Sequence, residues 1–499
     1  MIAAMAQQHL DRLTAVDASF LANEKSASHM HVGAVLVFEG PPPAHHDFLD
    51  QIRGRLHLVP RFRQKLAVPP LETGRPLWVD DPTFNLEFHV RLTALPKPGS
   101  ETQLRRLAGR IYSQRLDRQR PLWEWWLVHG LKGNRFALVN KTHHALIDGV
   151  AGVDLSTVLF DVTPVPAPVS HEGGPWQPRS EPSTTELVAA GVRDVVRAPF
   201  ALGARFARAA TRPSETLGAA REAVEGLGEI AWAGLNPAPP TPLNVPIGPH
   251  RRFCWVRNDL ADFKTVKDAF GGTVNDVVLT VVAGALRSWL RSRGVRTEGL
   301  ELRALVPVSI RGQDDTGQLG NRIAAMRGPL PVYIDDPVAR LRVVKQAMDG
   351  LKESKQAVGA EVLAGVQNFA PPTVLAQASR LNFSTRLFNL IVTNVPGPQF
   401  PLYVLGRQLE DLFPVAFLPD NHALAIAIMS YDGGMDFGLL GDYDAMPDID
   451  FVAAGIRESL DELLQAARAA SGPSAAGAKA KPRRAGARRK AAGARTVKR

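Results

Sequence analysis

Two adjacent histidines, His143 and His144, end an apolar run of β type and are followed by Ala145-Leu146-Ile147-Asp148-Gly149. Arg135 to Thr142 reads RFALVNKT, with apolar side chains on both alternating faces, which predicts a short strand buried on both sides. After Asp148 the text GVAGVDLSTVLF predicts a helix opening, where the carboxylate can cap the helix or pair with a buried cation. Along the whole chain the pattern predicts two mixed α/β halves joined by a long connector. An imidazole titrates near neutral pH and can take a proton from a hydroxyl, a transfer that contributes about 10²- to 10⁴-fold in rate. Successive strand residues point to opposite faces, so His143 and His144 have different tasks, one reaching the reacting group and the other anchoring the turn. Spacing alone leaves structural, metal-binding and catalytic roles open. Zinc needs a third ligand at a recognisable spacing, and with no HExxH and no cysteine pair no metal is expected.

Length and composition bound the rest. The 499 residues, 45% hydrophobic and 22% charged, are enough for two to three domains with sizeable cores. The single cysteine, Cys254, allows no internal disulfide and suits a reducing compartment. MIAAMAQQHLDRLTAV has no basic start and no long apolar stretch, so no secretory signal is expected. The longest apolar candidate, Val277 to Leu286, is too short to span a membrane. The net charge of +10 sits entirely between Lys479 and Arg499, which hold ten basic residues and no acid, leaving 49 basic and 49 acidic residues elsewhere. This Ala/Gly/Arg/Lys tail is expected to be disordered. It suits anionic lipid at about 1 kcal/mol per basic residue, a nucleic acid, or no specific partner.

HHALIDG fits the HHxxxDG signature of CoA-dependent acyltransferases, and the surrounding text resembles the bacterial wax ester synthase/diacylglycerol acyltransferase family. The blocks that carry the resemblance are LTAVDASFL (Leu13 to Leu21), HMHVGAVLVFEG (His29 to Gly40), RPLWVDDPTFNLEFHV (Arg75 to Val90), RPLWEWWLVHGL (Arg120 to Leu131), NDVVLT (Asn275 to Thr280), LVPVSIR (Leu305 to Arg311), GNRIAAM (Gly320 to Met326) and TNVPGP (Thr393 to Pro398). They stand in family order, and the resemblance covers the chain from about residue 10 to residue 468. HHxxxDG alone is shared with chloramphenicol acetyltransferases and peptide synthetase condensation domains, whereas the full series is specific. Thr393 and Thr280 depart from the serine and alanine common in the family, away from the proposed chemistry.

The resemblance implies two chloramphenicol-acetyltransferase-like lobes with a substrate tunnel between them, joined by a helical connector. It implies His144 as general base, with His143 beside it, Asp148 holding the motif in shape and Gly149 leaving room for the acyl thioester. Asn275 and Asp276 are candidates for the substrate side, although Thr273 and Asp276 also read as a helix cap. Acyl-CoA is the implied co-substrate, with no bound cofactor and no metal. Diacylglycerol, giving triacylglycerol, is the implied acceptor, and a fatty alcohol, giving a wax ester, the alternative. A reading from another class is a non-catalytic lipid-binding scaffold, against which the intact HHALIDG argues. The expected location is cytoplasmic and peripheral, on the inner face of the plasma membrane or on lipid bodies.

The expected division is a first lobe over 1–184, a helical and Pro-rich connector over 185–250, a second lobe over 251–470 and the tail over 471–499. Within the first lobe we expect strand His29 to Phe38, helix Asp47 to Leu58, strand Leu86 to Leu95, a helix Glu101 to Leu116 capped by Ser100 and Gln103, and a hairpin around Lys132-Gly133-Asn134. The connector alternates apolar side chains such as Leu187, Val192, Val196 and Phe200 with Arg193, Arg197 and Arg205, which suits a helix packed across both lobes or lying in a lipid interface. The second lobe is expected to open with the strand Arg251 to Asn258, an edge or half-buried one. Helices Val274 to Arg291 and Pro337 to Glu353, two strands around Asp432-Gly433-Gly434, and a closing helix Phe451 to Ala470 follow.

Overall fold

The computed structural model describes residues 11–70, 74–147, 160–166, 176–189, 236–309, 323–353 and 383–470. Asp148, Gly149, Arg311, most of the connector and the basic tail lie outside the described residues.

The first lobe is built on a six-stranded sheet. Its strands are β2 (His31–Phe38), β5 (Val90–Ala94), β6 (Trp123–His129) and β7 (Phe136–His143), completed by β12 (Tyr403–Val404) and β13 (Arg407–Val415). The order is β12-β13-β2-β7-β6-β5, with only the β5–β6 pair parallel. A small sheet of β1 (Asp11–Arg12), β4 (Leu77–Asp80) and β3 (Gln64–Ala67) flanks it. The helices of this lobe are α1 (Ala15–Asn23), α2 (His45–Arg55), α3 (Leu86–His89), α4 (Glu101–Tyr112) and α5 (His144–Ile147). The expected capping box is present on α4, where the Gln103 N–H donates to Ser100 Oγ and the Ser100 N–H donates to Gln103 Oε1.

The segment Leu86 to Leu95 differs from expectation. Asn85 accepts from the Glu87 N–H and starts a single helical turn, and the strand begins only at Val90. Local side-chain capping outweighs the β pattern there.

The second sheet has the order β10-β9-β11-β14-β15-β8. It contains β8 (Arg251–Asp259) at one edge, β9 (Leu302–Ser309), β10 (Ile323–Leu330), β11 (Leu390–Pro396), β14 (Leu424–Tyr431) and β15 (Gly434–Asp442). Among the described residues four helices accompany it: α6 (Leu260–Phe270), α7 (Val274–Ser292), α8 (Pro337–Glu353) and α9 (Ile449–Ala470). The apolar run Val277 to Leu286 is the buried middle of α7, which packs against α9, α8 and α6. Each fully buried Val or Leu there contributes roughly 1.5–3 kcal/mol. No single helix among the described residues is long and apolar enough to cross a membrane.

One expectation about the lobes is corrected. Residues 403–415, counted with the second lobe by position, belong to the first sheet, where β13 pairs antiparallel with β2. The reason is burial on two sides. Leu409 and Leu412 enter the core of the first lobe, while Phe413 and Val415 enter a third apolar cluster shared by both lobes. That shared cluster also holds Val35, Leu104, Trp255 and Ala425, so the lobes meet through a common core.

Candidate active site

β7 delivers the histidine pair. His31 of β2 lies opposite His143, the His143 N–H donates to Leu122 O, and the His144 N–H donates to Met30 O, so the backbone is held up to the residue where α5 begins. The two side chains then part, as alternation requires. His143 is 1% exposed, whereas His144 is only partly buried.

His143 is an anchored group. Its Nδ1 accepts from the Ala145 N–H at 3.1 Å, which places the proton of the neutral ring on Nε2. Burial, aided by Arg118, His144 and Arg115, pushes its pKa down to about 3, so the ring is neutral at physiological pH. Its Nε2 lies 3.8 Å from a carboxylate oxygen of Glu24, a side chain 1% exposed. Glu24 in turn accepts from Arg118 Nε at 2.6 Å and Arg115 Nε at 3.3 Å.

His144 stands among aromatic rings. Phe20 of α1 stacks on the imidazole at 3.9 Å between centroids and 23° between planes, and Phe417 meets it edge-on at 5.6 Å. Phe383 lies 6.0 Å from Phe20 and 5.7 Å from Phe417. These rings come from α1, from the segment before β11 and from the chain just after β13. An apolar, partly open wall beside an imidazole suits proton transfer next to a hydrocarbon substrate.

Asn275 and Asp276 occupy the first turn of α7. Asp276 Oδ2 accepts from the Thr273 N–H and hydroxyl at 2.7 and 2.8 Å, while the Asp276 N–H donates to Thr273 Oγ1, forming the cap. Asp276 is fully buried, and its Oδ1 has no hydrogen-bond partner among the described residues. The Asn275 Oδ1 accepts from Asn394 Nδ2 at 3.4 Å, which links the NDVVLT and TNVPGP blocks across the second lobe. Cys254 is buried, and burial pushes its thiol up to about 12, far from a reactive thiolate.

A model of the wax ester synthase/diacylglycerol acyltransferase catalytic domain matches residues 13–278, and one of the WS/DGAT C-terminal domain matches residues 319–464. The chain belongs to the wax ester synthase/diacylglycerol acyltransferase family. Among its relatives, a probable diacylglycerol O-acyltransferase of Mycobacterium tuberculosis is 34% identical over 466 residues, covering 91% of this chain and 96% of the relative. A second of the same description and organism is 34% identical over 465 residues, covering 92% and 99%. The solved wax ester synthase/diacylglycerol acyltransferase from Marinobacter aquaeolei superposes with a TM-score of 0.63 at 29% identity, covering 92% of this chain and all of that one. The starter condensation domain of rhizomide synthetase, crystallised with C8-CoA and Leu-SNAC, superposes at 0.53 with 13% identity over 93% and 96% of the two chains, a likeness of fold alone.

Within this WS/DGAT chain, four residues beside the histidines were not singled out by sequence reasoning: Phe20, Glu24, Phe383 and Phe417. The first lies inside a quoted family block, but nothing in LTAVDASFL tells a stacking partner from a core residue. Glu24 carries a faint signal, as an acid just past an apolar helix.

Proposed function

We propose that this chain is an acyl-CoA:diacylglycerol O-acyltransferase with His144 as its general base. The observation that carries the reading is its likeness, over nearly its whole length, to relatives named diacylglycerol O-acyltransferases, with HHALIDG intact. The acceptor hydroxyl oxygen attacks the thioester carbonyl while His144 takes its proton. The tetrahedral oxyanion then collapses, the carbon–sulfur bond breaks, and the imidazolium returns the proton to the departing CoA thiolate. No acyl-enzyme is required, and the high pKa of Cys254 agrees with that. The aromatic wall around His144 supports a long acyl chain or an apolar acceptor beside the base.

The substrate tunnel lies, in this reading, between the first lobe with its returning strands β12 and β13 and the remainder of residues 251–470. Asp148 and Gly149 keep the roles that the resemblance implies, shaping the motif and making room for the thioester. In this reading Asn275 faces the substrate side, which its link to Asn394 of the TNVPGP block supports, and Asp276 serves it as a cap. The enzyme works peripherally on anionic membrane or on lipid bodies, where its acceptor resides, and the basic tail supports that placement. A fatty alcohol is the second acceptor, favoured by the dual description of the family.

The test is CoA release from palmitoyl-CoA with dioleoylglycerol or hexadecanol offered separately and the lipid product identified. Wild type is expected to form triacylglycerol, and His144→Ala to lose about 10²- to 10⁴-fold in rate. Equal CoA release by wild type and His144→Ala would remove the base assignment.

A further inference from the structure

We propose that Glu24 is a positioning residue for acyl transfer, a carboxylate at the end of α1 that holds His143 and through it the turn carrying His144. The inference rests on the acyltransfer reading above and assigns a task that the HHxxxDG motif does not contain.

The geometry points one way. His143 is pinned at Nδ1 by the Ala145 N–H, so the remaining proton of the neutral ring must leave from Nε2, and Glu24 lies 3.8 Å away on that side. Among the described residues, Nε2 has no hydrogen-bond partner, so this carboxylate is the charge that can favour the Nε2–H tautomer. A buried carboxylate must be compensated, and Arg115 and Arg118 supply that from a more exposed side, with side chains 46% and 41% exposed. The arginines therefore hold Glu24 in place without themselves occupying the interior.

The same helix end also governs His144. The Glu24 N–H donates to Phe20 O, one turn back, and the Phe20 ring stacks on His144. Phe20 and Glu24 thus touch the two histidines from adjacent turns of one face, the ring on the base and the carboxylate on its neighbour. Because His143 Nδ1 bonds the N–H two residues along, fixing the His143 ring fixes the turn from 143 to 145 that sets where the His144 imidazole points. A base displaced by about 1 Å can lose 10²-fold in rate.

The test uses the full-length enzyme with palmitoyl-CoA and dioleoylglycerol. Glu24→Gln keeps the shape and removes the charge. The expected result is a kcat lower by about 10- to 100-fold with KM for both substrates unchanged, the signature of an interaction that matters for the chemical step. Glu24→Asp keeps the charge at shorter reach and recovers part of kcat. It is also the variant to use if Glu24→Gln does not fold. In parallel, nitrogen-15 histidine spectra of the wild type are expected to show His143 as the Nε2–H tautomer from about pH 5.5 to pH 8, and a mixed tautomer in Glu24→Gln. A folded Glu24→Gln protein with wild-type kcat, or a wild-type His143 carrying its proton on Nδ1, overturns the proposal. Failure of the acyltransfer reading looks different: the wild type itself would esterify no acceptor, while the spectra, which need no turnover, still decide whether Glu24 governs His143.

Discussion

His31, His89 and His143 are buried imidazoles, and each resists protonation in the folded chain. His143 is brought down to about 3 and His89 to about 4, chiefly by burial, and His31 lies well below its ordinary value for the same reason, with Lys141 adding to it. Their folded pKa values are depressed below the unfolded value of about 6.5, so the unfolded chain takes up protons that the native chain refuses as pH falls through 6.5. The stability they protect is fully present above that pH and is lost progressively toward pH 4, at up to about 1.4 kcal/mol per pH unit for each histidine. Urea unfolding midpoints should therefore hold steady between about pH 7 and pH 8 and fall between about pH 6.5 and pH 5. An unchanged midpoint at the acid end would contradict the burial of these rings in the native state. The histidine motif could be read from spacing because its members are seven consecutive residues. Glu24 and Phe417 could not, because their places beside it depend on contacts separated by more than a hundred residues of chain.

At the level of elements, close approach of backbones explains the glycine of Asp436-Phe437-Gly438 on β15. A Cβ on Gly438 would stand 1.8 Å from Pro414 O, because β13 of the first sheet crosses β15 of the second at that point. The Leu412 N–H also donates to Asp436 Oδ2 at 3.4 Å, so the block stitches one lobe to the other. Gly438→Ala meets backbone that cannot swing aside, and a loss of about 1–3 kcal/mol or more is expected in chemical denaturation. Gly350 is the contrasting case: it lies in α8, exposed, and among the described residues nothing comes within 4 Å of an added Cβ. Gly350→Ala should raise stability by roughly 0.5–1 kcal/mol, and a comparable loss in both variants would undo the argument. The helix caps on α4 and α7 were legible because a capping box needs only residues three apart. The pairing of β13 with β2 was not, since a strand's partner is chosen by two faces of burial that only the assembled lobes provide.

For the whole molecule, charge and core are divided differently. The formally neutral remainder holds the two sheets together through the shared cluster, the Trp255–Phe413 stack at 4.5 Å, and Arg257, which bonds Glu101 at 2.8 Å and Asp411 at 3.0 Å. All the excess positive charge is left for the last 21 residues. Replacing the ten basic residues there by neutral ones should weaken partition onto vesicles containing anionic lipid, with a salt dependence lost in the variant, while kcat on detergent-dispersed substrate is kept. Equal partition of both proteins would dissociate the tail from membrane recruitment.

The return of residues 403–415 to the first sheet also bears on how the enzyme comes into being. A ribosome that has released residues 1–300 has made every strand of the first sheet except β12 and β13, the second of which pairs with β2, so that sheet waits with an open edge. Phe417, which closes the ring wall around His144, is synthesised still later. On the proposed role of His144, activity is expected only once the chain is more than four-fifths made, and a prematurely terminated product is expected to carry the histidine motif without that ring wall.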